Sequence, residues 1–225
     1  MSSKTVAFFG LLSFMLIAFS AAAKDEPPQT SHDGLELRPG TKAALVYLRP
    51  GADFAVYDKV ALLDCKVAFQ KNWQREQNQS RPLAVSKKDM DQIRAKLAEL
   101  FTTVFSEELT KGGYQIVAAT TPDVLLIAPA IIDLDIAAPA SVQSAGRSKT
   151  FSTSAGQMTL VLEMYDSTTG EIIARAADRK AGRDSSAMQW QNAATNRSEA
   201  TRILRTWAVA LREALDNLRR APTAQ

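Results

Sequence analysis

The chain has a single cysteine, Cys65, and a single histidine, His32. One thiol cannot close a disulfide within the chain. One thiol and one imidazole fall short of a Cys/His zinc site, and no motif pairs them as nucleophile and base. No cofactor and no metal are therefore expected. Long apolar runs are missing after the first two dozen residues, so the remainder is not expected to span a bilayer. A charge excess is missing as well. The net charge is +3 and no Lys/Arg run exceeds two residues, which argues against nucleic acid as a partner. No Gly-x-Ser-x-Gly elbow surrounds the serines from Ser144 to Ser154, and "AGRSKT" lacks the preceding glycine of a phosphate loop.

What is present begins with "SFMLIAFSAAAKDEPPQ". Lys4 near the start, an uncharged core from Val6 to Phe19 and Ala21-Ala22-Ala23 reproduce the layout of a secretory signal peptide. Cleavage is expected after Ala23, giving a periplasmic or secreted protein. Lipid anchoring needs a cysteine at the cleavage point, where Lys24 stands. The expected organisation is a signal peptide over 1–23, a flexible leader over 24–40, a single domain over 41–220 and a short tail over 221–225. At 46% apolar residues the whole chain carries enough hydrophobic side chain for one core.

Two short strands are expected first, the second from about Lys59 to Gln70 with Leu63, Cys65, Val67 and Phe69 on one face. Cys65 then reads as a small buried thiol. "KNWQREQNQSRPLAV" reads as a polar loop. Ser86 with Asp89 forms a capping-box-like start to a helix whose stripe is Met90, Ile93, Leu97, Leu100, Phe101, Val104 and Leu109, and Gly112-Gly113 stops it. "YQIVAA" and "VLLIAPAIIDLDI" read as strands. Pro129 in the latter predicts a bulge or an edge position. "QMTLVLEMYDSTTGEIIARAADRKAG" is a hairpin signal. A last helix from about Arg197 to Arg219 carries Leu204, Trp207, Leu211, Leu215 and Leu218 on its stripe. The fold class predicted is α+β: a single mixed, mostly antiparallel sheet of four to six strands, with two amphipathic helices packed on one face.

The pieces "YLRPGADFAVYDKVALLD", "YDSTTGEIIARAADRKAG" and "RTWAVALREALDNL" resemble the bacterial envelope family catalogued as domain of unknown function 3313, over about Leu37 to Arg219. The resemblance implies an exported α+β protein, often a lipoprotein, with no established activity and no catalytic residues to carry over. The missing acylated cysteine departs from the lipoprotein form.

Chemistry-bearing candidates are few. Asp133 and Asp135 are expected on one strand face, roughly 7 Å apart at about 3.3 Å per residue. Glu163, Arg175 and Arg179 are expected on the non-core faces of the hairpin. The leading reading is a solvated face with cross-strand ion pairs. An envelope-polymer hydrolase working through Asp133, Asp135 and Glu163 is the enzymatic alternative. Trp73 and Trp190 lie in polar stretches, where tryptophan either caps a core or meets a partner. The functional expectation is a non-enzymatic exported domain that binds an envelope component or a protein, with Trp73, Trp190, Asp133, Asp135, Glu163 and Arg175 as possible partner-binding residues.

Overall fold

The computed structural model describes residues 26–79, 84–136, 150–152, 156–182, 189–191 and 193–220. The signal-like segment 1–23 and the tail 221–225 lie outside them. Among the described residues no helix is long and apolar enough to cross a membrane.

The described chain contains ten strands: β1 (Glu36–Leu37), β2 (Leu45–Leu48), β3 (Lys59–Leu62), β4 (Lys66–Phe69), β5 (Gln115–Ile116), β6 (Val124–Asp135), β7 (Thr150–Ser152), β8 (Gln157–Asp166), β9 (Ile172–Ala181) and β10 (Gln189–Gln191). Three helices accompany them, α1 (Trp73–Gln79), α2 (Lys87–Lys111) and α3 (Ala193–Arg220). Eight strands form one mixed sheet in the order β1-β2-β9-β8-β6-β3-β5, with β4 also paired to β6; β7 and β10 form a separate antiparallel pair. The class is α+β, but the expectation of four to six strands with two helices is wrong. The reason is physical. Two-residue strands such as β1 and β5 are too short to carry a period of two, and α1 buries only Trp73, so it shows no apolar stripe.

The strand expected over Lys59–Gln70 is broken in two. Both β3 and β4 run parallel to the long β6, β3 beside Val124–Ile127 and β4 beside Ala130–Leu134. Leu63, expected to point inward, is exposed, whereas Cys65 is buried as a free thiol. Burial pushes that thiol up to about 12, so it stays protonated and poorly nucleophilic at neutral pH.

Pro129 is neither bulged nor at an edge. It sits mid-ladder opposite Leu162 of β8, in a central strand. The carbonyl of Ile127 accepts from Leu63 N–H. By the alternation of strand peptides, the nitrogen of Pro129 points to that same side. There it meets the gap between Leu62, opposite Ile127, and Lys66, opposite Ala130. The donor that proline lacks therefore falls at the break between the β3 and β4 ladders.

The core lies between one sheet face and the two long helices. Ser86 caps α2 with its hydroxyl on Asp89 N–H, and the Asp89 carboxylate returns to Ser86 N–H. All seven predicted stripe residues of α2 are buried, joined by Phe105 and by Glu108. Glu108 accepts from Arg212 Nε of α3 at 2.9 Å and pairs with Lys111 at 3.2 Å. A Cβ on Gly112 would lie 2.8 Å from Arg212 Cγ, so this glycine leaves room for the arginine stem crossing between the helices. Gly113 takes the left-handed turn at φ 85° that ends the helix.

Candidate functional site

The three carboxylates proposed for hydrolysis are not assembled. A bulge interrupts the β6–β8 register between Ile132 and Asp135, and Asp133 stands in it at φ 51°. Simple alternation therefore fails: Ile131 and Leu134 are buried, while Ile132 is 37% exposed. Asp135 accepts from the indole Nε1 of Trp73 at 3.1 Å. Trp73 begins α1, is buried with Val85 and Met90, and stacks on Phe69 at 4.4 Å. Its polar surroundings in sequence hide a packing residue. Glu163 stands opposite Ala128 of β6, which puts it five residues from Asp133, roughly 16 Å at about 3.3 Å per residue. Inverting glycosidases need about 6.5–9.5 Å and retaining ones less. Trp190 sits in β10 with its backbone paired to Phe151; its side chain lies outside the described residues.

Glu163 and Arg175 are brought together as directly opposed residues of β8 and β9. Arg175 Nε donates to Glu163 Oε1 at 3.0 Å, and its Nη2 donates to Asp33 at 2.6 Å. Tyr165 donates to the other oxygen of Glu163 at 2.7 Å. The hydrogen bond to Glu163, with burial second, pushes the Tyr165 phenol up to about 12. Asp33 comes from the segment read as a tether. That segment adds β1 to the sheet edge and buries Leu35 completely. The hydrogen bond from Arg175 holds the Asp33 carboxyl down to about 2 from 3.8.

A depressed carboxylate stabilises the fold above its unfolded value and ceases to as pH falls through its folded one. The clasp between the leader and β9 is therefore intact above pH 4 and is lost between about pH 4 and 2. Amide exchange at Leu35 to Leu37, corrected for intrinsic rates, should accelerate across that window. In Arg175→Met the acceleration should be largely absent; an unchanged profile in that variant would remove the clasp from the explanation.

A cleft of about 1840 Å³ lies between α3 and the β2–β9–β8 side of the sheet. Leu48, Leu162, Ala174 and Ala176 contribute its sheet wall, and Leu211 and Leu215 its helix wall. Asp178 marks the middle. It accepts from Trp207 Nε1 at 2.7 Å and from Ala44 N–H at 3.0 Å, and pairs with Lys180 at 2.8 Å. Burial raises its carboxyl, but the bonds from Lys180, Trp207 and Ala44 outweigh that and leave it below the usual carboxylate range. The sequence reading missed Asp178, although a signal was there. The hairpin phase Ile172, Ala174, Ala176 leads on to Asp178 and Lys180, placing charge on the face that meets α3. Among the described residues no cluster of three or more His, Cys, Asp or Glu could hold a metal ion.

These features define an α+β domain in which a helix-backed mixed sheet leaves an open lateral cleft beside its last helix. The chain belongs to the family described as Protein of unknown function (DUF3313), whose model matches residues 29–211. No curated protein matches it. Among solved structures it is similar to the PelC dodecamer from Paraburkholderia phytofirmans, with 15% identity, TM-score 0.38, and 74% of this chain and 96% of that one covered. It is also similar to protein XCC0632 from Xanthomonas campestris, at 13% identity and TM-score 0.38, with 75% and 90% covered. A putative neuraminyllactose-binding hemagglutinin homolog from Helicobacter pylori matches at 12% identity and TM-score 0.36, with 76% and 90% covered.

Proposed function

We propose that this chain is an exported, non-enzymatic accessory protein of the cell envelope that holds a ligand or partner in the cleft beside α3. The observation that carries this reading is the cleft itself, a large concavity with an apolar wall and a few convergent polar groups around Asp178. The signal-like opening supports the compartment. The separation of Asp133 from Glu163 and the engagement of Asp135 by Trp73 favour binding over carboxylate chemistry.

Two measurements test the two halves. Protein recovered from the periplasmic fraction should begin at Lys24; an intact Met1 in the membrane fraction would reverse the export half. Immobilised protein should retain an envelope component from an extract, and Ala210→Trp, which fills the cleft from a partly buried helix position, should release it. Retention unaffected by that plug would take the cleft out of the function.

A further inference from the structure

Resting on that reading, we propose that the occupant of the cleft is one anionic phospholipid, with its headgroup at the N-terminal end of the α3 wall and its acyl chains along the C-terminal part. The helix wall is divided at Trp207. Before it, every α3 residue lining the cleft is polar or charged, including Arg197, Arg202 and Arg205. After it six apolar residues between Val209 and Leu218 share the lining with Arg212, Glu213, Asp216, Asn217 and Arg220. From Val209 to Leu218 the helix covers roughly 14 Å at 1.5 Å per residue, close to the ~15 Å of one leaflet of a ~30 Å hydrocarbon core.

The charges complement an anionic head. Arg202 is held by Glu199 at 2.8 Å, whereas Arg197 and Arg205 are exposed and have no carboxylate partner among the described residues. The charges along the apolar stretch are committed. Glu213 pairs with Lys42, and Arg212 is shared between Glu108 and Asp216. Asp178 at the divide is likewise satisfied by Lys180 and Trp207.

Polarity separates this occupant from others. The cleft's lining runs on α3 from Arg197 to Arg220, roughly 35 Å at 1.5 Å per residue. An extended peptide laid on the face of the sheet over Leu48 and Ala176 would bury unpaired backbone groups. A glycan would set hydroxyls against the same aliphatic wall without partners. Hydrocarbon chains meet neither cost.

The test mixes the purified protein with vesicles of phosphatidylglycerol or of phosphatidylcholine, repurifies it by size exclusion and counts bound lipid by native mass spectrometry. One phosphatidylglycerol per chain is expected, with phosphatidylcholine taken up at least tenfold less. Arg197→Glu with Arg205→Glu, both at exposed positions, should reduce phosphatidylglycerol uptake at least tenfold at an unchanged melting temperature, and Ala210→Trp should abolish it. Uptake of neither lipid, or equal uptake of both that the double variant leaves unchanged, overturns the proposal. If the extract component released by Ala210→Trp is a protein or a glycan, the lipid assignment falls while the cleft reading stands. If Ala210→Trp releases nothing from the extract and leaves lipid uptake intact, the cleft reading falls as well.

Discussion

Replacing Phe105 by alanine should lower the free energy of unfolding by about 3–5 kcal/mol. Phe105 has no exposed surface and stacks on Phe101 with ring centres 3.9 Å apart and planes 21° from parallel. Both rings project from α2 into the layer between the helix pair and the sheet. Truncation removes the transfer free energy of a whole ring and leaves a void that close-packed neighbours refill only in part. In a urea titration the midpoint should fall while the slope stays constant, because the surface exposed on unfolding hardly changes. Phe101→Ala should cost a similar amount. The double variant should cost less than the two together, since the two rings stack on one another. A loss below about 1 kcal/mol for Phe105→Ala would mean that this part of the core closes over the gap, contrary to the packing described.

Trp73→Ala is expected to cost a comparable ~3–5 kcal/mol, and that outcome separates two readings of the same residue. An interface tryptophan can be removed with little effect on stability and a large effect on partner recovery. Trp73 is only 2% exposed, wedged among Phe69, Val85 and Met90, with its indole N–H satisfied by Asp135. Trp73→Phe keeps the stacking but leaves that carboxylate without its donor, and should cost about 1–3 kcal/mol. An unchanged unfolding midpoint in Trp73→Ala, combined with loss of a bound envelope component, would restore the contact-surface role and refute the packing one.

Legibility from sequence followed length. In α2, seven apolar positions recur over 25 residues between a capping box and two glycines, so periodicity, start and stop agree. The hairpin β8–β9 was legible for the same reason: four alternating apolar positions precede a turn. The bulge in β6 was not. Ile131 and Ile132 are both apolar, so the strand reads equally well in either phase, and only the partner strand decides which isoleucine is buried. The family resemblance was carried by turn and helix motifs spread along the chain, and the matching family model spans 29–211.

The candidate site was read less completely because its parts are distant in sequence. Glu163 with Arg175 was foreseeable as a cross-strand pair. Asp33, 142 residues before Arg175, was not, since nothing in a proline- and glycine-containing leader signals an ion pair. The cleft takes its walls from β2 near the start of the domain, from the hairpin and from the closing helix, and concavity has no periodicity to detect. Trp207 could be placed on a stripe, but its bond to Asp178 depends on how α3 lies across β9.

The proline at the seam of β6 also sets where the molecule can absorb change in length. Because the joint from Leu63 to Cys65 faces a stretch of β6 that offers no donor, the two short strands beside it are phased independently. Extra residues at the exposed Asp64 would loop outward and leave both ladders in step. The same addition inside either short strand would slide every side chain beyond it to the opposite surface.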